Sequence, residues 1–270
     1  MNTPSPQPAQ DPAWSGSQLD APHAQSDKPE RVRKMFSAIA GSYDLNNRLH
    51  SFGRDQAWRR FAVRKAAVKP GDAVLDVACG TGDLTELFAA TPASRVVGAD
   101  FTAPMLDLAR QKQTRLPKSS SAKVEYIEAD AQNLPFPDQS FDVLSIAFGI
   151  RNVMDPARAI AQFARVLRPG GRLVVLEFDR PSNPLIRAFN SLYTTRIMPR
   201  TATLVSGDQS GAYRYLPASV NTFLTSTQLS DLISASGFQF MGSHGLTFGV
   251  CRCYLAIRTG DFGSHSPIKT

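Results

Sequence analysis

The sequence predicts an α/β fold in which a mostly parallel sheet carries helices on both faces. From residue 73 onward, short apolar runs alternate with stretches whose apolar residues recur at helical spacing. Apolar strands that alternate with helices indicate a parallel sheet covered on both faces. The chain has 270 residues, 42% of them hydrophobic and 20% charged, which suffices for one large domain with a terminal extension.

Five apolar runs are predicted as strands: AVLDVA (73–78), RVVGAD (95–100), KVEYIEAD (123–130), FDVLSIAF (141–148) and RLVVLEF (172–178). The segments DLTELFAA and APMLDLARQKQ follow the first two strands as helices. Another helix is predicted over 155–168, where Asp155 can cap the start, Pro156 suits the first position and PGG ends it. After a helix near 227–236, FQFMGSHGL and FGVCRCYLAI are predicted to close the sheet with an antiparallel strand, giving seven strands.

The ends of the chain and two internal segments differ from this alternating pattern. Residues 1–27 are rich in Pro, Gln, Ser and Ala and poor in large apolar residues, so we expect a disordered tail there. We expect one folded domain over 28–259, with a helical segment at 28–66 and a partly aromatic insertion at 182–226. Residues 260–270 are expected to form a flexible tail.

Charge and cysteine content favour no special class. The net charge of +7 fits nucleic acid, an anionic membrane or anionic substrates, but the basic residues are spread and no RNA-binding motif is present, so a solvated basic face is favoured. No apolar run approaches the roughly 20 residues of a membrane span, and the N-terminus lacks a secretory pattern, so a cytoplasmic protein is expected. The three cysteines form no metal-binding or disulfide pattern and are expected to be reduced and buried.

The first strand runs into a glycine-rich turn, VLDVACGTGDLTELF. Gly80 and Gly82 permit a tight turn that a ligand can approach closely, and the helix that follows offers free N–H groups; a plain strand-to-helix turn is the alternative. Asp100 ends the second strand, where it can accept hydrogen bonds from ribose hydroxyls. A dinucleotide fingerprint requires a third small residue, and Thr85 stands at that position.

The third strand ends in EADAQNLPF, which places two more polar groups at the same edge of the sheet. The Asp130 carboxylate can accept from an exocyclic amine, and the Ala131 amide can donate to a ring nitrogen. RVLRPGGRLVV introduces the fifth strand. With these motifs in order over 73–178, the chain resembles class I S-adenosylmethionine-dependent methyltransferases, which implies a Rossmann-like fold and S-adenosylmethionine as cofactor.

A narrower resemblance covers residues 35–257. It rests on FSAIAGSYDLNNRLHSFGRDQAWRRF, GTGDLT, LPFPDQSFDVLSIAFGIRNV, RVLRPGGRLVVLEF and YRYLPASV. These stretches are similar to the ubiquinone/menaquinone biosynthesis C-methyltransferase family. The resemblance implies methylation of a ring carbon on a polyprenylated quinol, such as demethylmenaquinol to menaquinol. The alternatives are the benzoquinol of ubiquinone biosynthesis and S-adenosylmethionine-dependent methylation of another small molecule. It also implies that 28–66 is a lid and that 182–226 lies on the substrate side.

The resemblance assigns cofactor contacts to the glycine-rich turn and to the ends of the second and third strands: Gly80, Thr81, Asp100, Asp130 and Ala131. Three positions depart from the family pattern. Ala147 stands where some members have a serine, Asn46 stands in place of a methionine, and Asp55 stands in place of a histidine.

Two polar residues leave the fourth strand in the stretch AFGIRNV. Ligands of this fold lie beyond the carboxyl ends of the strands, so Arg151 and Asn152 are expected to face the reaction. A quinol carbon becomes nucleophilic when the neighbouring hydroxyl ionises, and a guanidinium can stabilise that phenolate. The alternative for Arg151 is an ion pair with a carboxylate such as Asp155. Asn152 is expected to orient a quinol oxygen.

The N-terminal segment adds Tyr43, which can relay a proton or donate a hydrogen bond to the substrate. His50 and Asp55 are candidate proton acceptors on the same segment, although a lone histidine is more often a packing residue. Asp44 can equally serve as a helix cap. No metal ligand cluster is present in the sequence, and none is required for methyl transfer.

Residues 182–200, SNPLIRAFNSLYTTRIMPR, mix large apolar residues with three arginines. This pattern is typical of an amphipathic element that touches a membrane surface while arginines meet lipid head groups. A helix packed on the core, or one in a homodimer interface, fits the pattern equally well.

Three other functions fit less well. A nicotinamide-dependent oxidoreductase is disfavoured by Thr85, and a binding module without transfer activity would lack polar groups such as Arg151 at the strand exit. A nucleic-acid methyltransferase would use the positive charge, but the fourth strand exit carries no base-flipping motif such as a Pro-Pro-aromatic run.

Overall fold

The computed structural model describes residues 12–208 and 210–260. Its centre is one sheet in the order β3-β2-β1-β4-β5-β7-β6. The strands are β1 (Ala73–Val77), β2 (Arg95–Asp100), β3 (Val124–Glu128), β4 (Phe141–Ala147), β5 (Leu167–Phe178), β6 (Phe238–Leu246) and β7 (Cys251–Arg258). The first five strands pair in parallel, and β7 lies antiparallel between β5 and β6. The predicted seven-stranded α/β sheet with an antiparallel closing strand is confirmed.

Helices cover both faces of this sheet. In chain order they are α1 (Lys28–Ile39), α2 (Tyr43–His50), α3 (Arg54–Ala66), α4 (Asp83–Ala89), α5 (Ala103–Gln113), α6 (Lys118–Ser121), α7 (Pro156–Val166), α8 (Pro184–Leu192), α9 (Met198–Ser206), α10 (Ala212–Thr222) and α11 (Ser226–Ala235). Apolar residues of α7 and α11 pack into one core cluster with the strands, and those of α3, α4 and α5 pack into another. Each cluster removes apolar surface from water, which stabilises the layered arrangement.

Helix α7 begins as its sequence predicts. The Asp155 carboxylate accepts the Arg158 backbone N–H at 3.0 Å, and Pro156 takes the first helical position, where no N–H donor is required. The helix ends at Val166, two residues before the predicted end, because β5 begins at Leu167 and pairs with Phe141 across a bulge. The PGG stretch therefore lies inside the long strand β5.

The sheet reverses its direction of winding between β1 and β4. Strand β1 pairs with β2 on one side and with β4 on the other. The connection after β1 therefore leads toward one edge of the sheet, and the connection after β4 leads toward the opposite edge. In open α/β sheets the ligand crevice lies outside the carboxyl ends of the strands at this point. The glycine-rich turn after β1 and the polar pair after β4 thus meet at one edge.

Residues 12–27 differ from the expected disordered tail. Trp14 is 0% exposed and its ring stacks on Tyr215 with centroids 4.4 Å apart, while its backbone N–H donates to the Ser210 carbonyl at 3.1 Å. A single large aromatic side chain buries enough surface to hold an otherwise polar segment against α10, which a composition average over the segment does not reveal. Residues 1–11 of the predicted N-terminal tail and 261–270 of the C-terminal tail lie outside the described residues.

The segments at 28–66 and 182–226 are both helical and pack over the carboxyl edge of the sheet. The first contributes α1, α2 and α3, and the second contributes α8, a π-helical turn (Tyr193–Ile197), α9 and α10. Helix α2 contacts α9, and α1 contacts α10, so the two segments cover the edge together. Among the described residues, none of the helices combines the length and the apolar composition that a membrane span requires.

Candidate functional site

Two cavities lie at the carboxyl edge of the sheet and share a wall. The crevice, of about 80 Å³, lies over the ends of β1 to β4, and the lid cavity, of about 190 Å³, lies among α1 to α3, α8 to α10 and the exit of β5. Residues Phe36, Tyr43 and Phe148 line both cavities. A ligand in the crevice and a second ligand in the lid cavity would therefore meet at this shared wall.

Four of the five predicted cofactor residues line the crevice: Gly80, Asp100, Asp130 and Ala131. The Asp100 carboxylate accepts the Gly80 N–H at 2.8 Å and the Thr102 N–H at 2.9 Å, which fixes its position after β2. Burial raises the pKa of Asp100 above its usual value, although these N–H groups favour the ionised form. Asp130 is exposed and accepts the Gln132 N–H at 2.9 Å.

Thr81 has a different place from the other four. It is buried, does not line the crevice, and donates its hydroxyl to the Asp44 carboxylate at 2.6 Å. The second oxygen of Asp44 accepts from the Lys112 ammonium at 2.9 Å, and Lys112 also pairs with Asp83. Thr81 and Asp44 thus attach the lid helix α2 to the glycine-rich turn. The cap position of α2 is Ser42 and Asp44 is the second helical residue, so Asp44 is not the helix cap.

The glycine-rich turn rests on a buried polar cluster. Gly82 has φ +86°, and a Cβ at this position would overlap the Tyr126 hydroxyl, so only glycine fits without displacing the ring. Beneath the turn, Thr85 donates its hydroxyl to Asp76 at 2.7 Å, and Ser145 donates to the other Asp76 oxygen at 2.7 Å. Burial raises the pKa of Asp76 to about 6. The residue that breaks the dinucleotide fingerprint therefore has a packing role here.

Arg151 lines the lid cavity and is held by a buried ion pair. It follows β4 in a short 3₁₀ turn, and its Nη1 donates to Glu177 Oε1 at 2.6 Å and to the Phe148 carbonyl at 2.7 Å. Its partner is thus Glu177 and not Asp155, because β5 lies beside β4 and ends with this carboxylate on the same edge. In the sequence, this ion-pair partner was visible as the glutamate of the predicted strand RLVVLEF. Nη2 makes no hydrogen bond to the described residues.

Asn152 lies on the other side of the shared wall and lines the crevice. Its Nδ2 donates to the Phe148 carbonyl at 3.2 Å, and its Oδ1 accepts the Tyr215 hydroxyl at 3.0 Å. Arg151 and Asn152 therefore both hold the backbone of Phe148, which has φ +58°, an uncommon conformation for a bulky residue. Backbone strain of this kind persists where surrounding contacts fix it, often at ligand sites.

The candidates from the lid segment all line the lid cavity, but their side chains differ in availability. Burial raises the pKa of Tyr43, so its hydroxyl remains a donor at neutral pH. Both His50 ring nitrogens are engaged, Nδ1 with the Asn46 carbonyl at 2.9 Å and Nε2 with the Thr201 hydroxyl at 2.8 Å. Asp55 accepts the Ser51 hydroxyl at 2.9 Å. His50 and Asp55 thus organise the lid locally.

A buried arginine of the lid cavity was not predicted from the sequence. Arg59 on α3 is 7% exposed, lines the cavity, and has its guanidinium carbon 5.3 Å from the centre of the Phe148 ring. Its Nε is buried without an acceptor. The basic residues of the chain were expected to form a solvated face, but the helical spacing of α3 places Arg59 on the buried side with Asp55 and Trp58.

Comparisons with known proteins agree with this geometry. A model of the ubiE/COQ5 methyltransferase family matches residues 24–258. Demethylmenaquinone methyltransferase of Thermus thermophilus is 46% identical over 228 residues, which are 84% of this chain and 99% of that protein. Ubiquinone/menaquinone biosynthesis C-methyltransferase UbiE of Ectopseudomonas mendocina is 39% identical over 241 residues, 88% of this chain and 92% of that protein.

A solved structure extends the likeness to the fold. A SAM-dependent methyltransferase of Thermotoga maritima superposes with a TM-score of 0.56 at 20% identity, over 83% of this chain and 98% of that one. At this identity the likeness concerns the fold alone. The match of the family model over most of the chain, with relatives near 40% identity or above, confirms the resemblance found in the motifs: the chain belongs to the ubiE/COQ5 methyltransferase family.

Proposed function

We propose that the protein transfers the methyl group of S-adenosylmethionine to a ring carbon of a polyprenylated quinol, with demethylmenaquinol as substrate and menaquinol as product. The observation that carries the proposal is the wall of Phe36, Tyr43 and Phe148 shared by the crevice and the lid cavity. A donor over the strand ends and a quinol ring under the lid would come together at this wall. Alignment of reactants in a closed site supplies much of the rate acceleration of such a reaction.

The crevice residues fit an adenosyl cofactor. Asp100 retains lone pairs beyond its two backbone donors, Asp130 offers an exposed carboxylate, and the Gly80 backbone is open, since the nearest atom to a Cβ there would be 4.0 Å away. Gly80, Asp100, Asp130 and Ala131 would hold the cofactor. When bound, S-adenosylmethionine supplies an already activated methyl group. The protein then has to orient the acceptor carbon, exclude water and assist ionisation of the quinol hydroxyl.

Arg151 and Tyr43 are the residues to which we assign catalytic roles. Asn152 lines the crevice and has both side-chain polar atoms engaged, so we assign it a positioning role in place of the expected contact with a quinol oxygen. Tyr43 keeps its proton and can donate to a quinol oxygen from the shared wall. Arg151 can donate through Nη2, while Glu177 holds the rest of the guanidinium. Asn152 fixes the Phe148 backbone from the crevice side and so sets the wall against which the ring would lie.

We further propose that the 182–206 segment meets an anionic membrane surface, from which the prenyl chain enters. Leu185, Phe189 and Leu204 are exposed apolar residues of this segment, and exposed arginines (Arg187, Arg196 and Arg200) lie among them. Several residues of the same segment also line the lid cavity. An apolar face with interspersed arginines matches a lipid surface that carries anionic head groups.

Vesicle sedimentation tests the membrane proposal. We expect binding to phosphatidylcholine vesicles that contain phosphatidylglycerol, weaker binding without it, and a loss in Phe189→Ser; Met241→Ser, which alters an exposed methionine on β6, is the matched control. Equal sedimentation of Phe189→Ser and wild type would contradict the proposal. Concentration-dependent dimerisation lost in Phe189→Ser, without vesicle binding, would assign the face to a second copy of the chain.

A turnover assay tests the reaction. The protein is incubated with S-adenosylmethionine and a short-chain demethylnaphthoquinol kept reduced, and the product is identified by mass and by the position of the new methyl group. We expect a ring-methylated product from the naphthoquinol and none from the oxidised quinone, whose ring carbon is not nucleophilic. Methylation on oxygen, or turnover of the benzoquinol in preference, would contradict the substrate assignment.

A further inference from the structure

A buried guanidinium that makes no hydrogen bond or ion pair with the described residues lines the lid cavity. Arg59 is 7% exposed, and no hydrogen bond or ion pair joins its guanidinium to any residue in 12–208 or 210–260; its Nε is fully buried without an acceptor. The two other buried basic side chains in the described part of the chain are satisfied. Arg151 pairs with Glu177, and the Lys28 ammonium donates to the Val153 carbonyl at 2.6 Å.

A buried cation that makes no ion pair or hydrogen bond is unfavourable for folding, even where carboxylates such as Asp76 and Asp83 act on it from a distance. Removing a guanidinium from water costs free energy that only an acceptor can offset, which is why buried charges in proteins are almost always paired. Such a conflict with the folding rules is expected at functional sites. Arg59 therefore indicates a ligand that brings a negatively charged or strongly accepting oxygen into the lid cavity.

An unpaired acceptor lines the same cavity. Asn46 is 2% exposed, its Nδ2 donates to the Ser42 carbonyl at 3.2 Å, and its Oδ1 has no donor. Because the Ser42 carbonyl can only accept, it fixes the orientation of the amide and leaves the oxygen as the unsatisfied end. A ligand that satisfies both residues must offer an anionic or accepting oxygen and also a hydroxyl donor.

A quinol that has lost one proton has these two groups on one ring. We propose that Arg59 holds the ionised oxygen of the quinol and that Asn46 accepts a hydrogen bond from the hydroxyl that keeps its proton. In this step one O–H bond breaks, the proton passes to solvent water, and the electron pair stays on the oxygen beside the guanidinium. The inference rests on the proposed function and assigns the ring to this pair of residues.

The location of Arg59 favours this role over Arg151. The guanidinium of Arg59 lies over the Phe148 ring, which belongs to the wall between the two cavities, so its charge acts where the ring carbon has to react. The charge of Arg151 is already neutralised by Glu177 at 2.6 Å. A cation that has no ion-pair partner in contact stabilises a developing phenolate more strongly than one that is paired at hydrogen-bond distance.

Spectrophotometric titration of bound 1-naphthol tests the assignment to Arg59. Neutral and ionised naphthol differ in absorbance, so the pH at which the bound molecule ionises can be read directly. We expect wild type to lower that pH, Arg59→Met to raise it by about one pH unit, and Arg59→Lys to retain part of the effect. Arg60→Met, a change at an exposed arginine next in the chain, should titrate like wild type.

Thermal unfolding separates this role from a structural one. Because Arg59 has no ion pair or hydrogen bond to lose and methionine can still pack against the Phe148 ring, Arg59→Met should unfold at the same temperature as wild type or higher. A lower unfolding temperature, an unchanged naphthol titration in Arg59→Met, or a wild type that does not bind naphthol would each overturn the inference.

The role of Asn46 requires a ligand with two hydroxyls, because naphthol has only one. Asn46→Leu should weaken the binding of reduced 1,4-naphthoquinol roughly tenfold and leave the binding of naphthol unchanged. Equal effects on both ligands would remove Asn46 from the subsite.

Turnover of the quinol distinguishes the two proposals. If wild type methylates the quinol but Arg59→Met leaves the naphthol titration unchanged, the inference fails and the proposed function stands. If the titration depends on Arg59 but wild type methylates no quinol, the proposed function fails and a phenolate-binding subsite remains. The predicted result is loss of both the naphthol effect and quinol turnover in Arg59→Met.

Discussion

Substitution of Arg151 by methionine tests how the strand exit is held together. Glu177 is 1% exposed and accepts from Arg151 Nη1 at 2.6 Å and from the Phe178 N–H at 2.8 Å. Without the guanidinium, the Glu177 carboxylate stays buried and loses one strong hydrogen-bond donor. Breaking a buried pair by removing one partner costs about 3–5 kcal/mol, so we expect the free energy of unfolding to fall by that amount.

The loss should depend on pH in a defined direction. Burial already raises the pKa of Glu177. The guanidinium favours the ionised carboxylate, so its removal raises this pKa further. Between the unfolded and folded pKa values the folded state binds more protons, so stability rises as the pH falls. The deficit of Arg151→Met relative to wild type should therefore shrink as the pH is lowered from 8 to 5.

Urea unfolding followed by circular dichroism gives the free energies for a double-mutant cycle. Arg151→Met combined with Glu177→Met removes both charges, and we expect the double variant to be more stable than Arg151→Met alone. A loss below about 1 kcal/mol in the single variant, or strict additivity in the cycle, would refute the buried pair as described. At temperatures where the variant is folded, we expect it to lose turnover far more than affinity for S-adenosylhomocysteine.

Three further predictions concern stability. Trp14→Ala should lower the free energy of unfolding by about 3–5 kcal/mol in urea unfolding, since it empties a fully buried site on α10; a loss near zero would restore the disordered-tail prediction for this segment. Gly82→Ala should lower the melting temperature, because the added Cβ overlaps the Tyr126 hydroxyl. Adding Tyr126→Phe should restore part of the loss; equal melting temperatures of the single and double variants would contradict the overlap. Burial lowers the pKa of Lys28 to about 8, so the unfolded state binds more protons above that pH. Relative to Lys28→Met, wild type should therefore gain roughly 2 kcal/mol of stability between pH 7 and 10; a constant difference would contradict this.

The sheet was predictable from the sequence because its pattern is local. Short apolar runs that alternate with segments of helical spacing predicted all seven strands. The helix beginning at Pro156 was predicted from its capping residue and its first residue. The start of β5 was missed because a proline and two glycines at 169–171 normally interrupt a strand, and here the pairing of Leu167 with Phe141 across a bulge extends it. Trp14 was missed because its stacking partner, Tyr215, lies some 200 positions away in the chain.

The site was predictable in position but not in its partners. The rule that ligands lie at the carboxyl edge placed Gly80, Asp100 and Arg151 correctly at that edge. No local pattern could reveal that Thr81 binds Asp44, or that Arg151 pairs with Glu177, because these contacts join elements brought together only by the fold. Arg59 was missed for the related reason that a basic stretch on a helix is usually solvated, and the burial of one of its members depends on tertiary packing.

A crystal structure with S-adenosylhomocysteine and a reduced short-chain demethylnaphthoquinol tests the central claim most directly. We expect the adenosyl ligand in the crevice between Gly80, Asp100 and Ala131, and the quinol ring in the lid cavity, with the two meeting at the wall that contains Tyr43 and Phe148. Electron density for the adenosyl ligand outside the crevice, or for the ring away from that wall, would contradict the account.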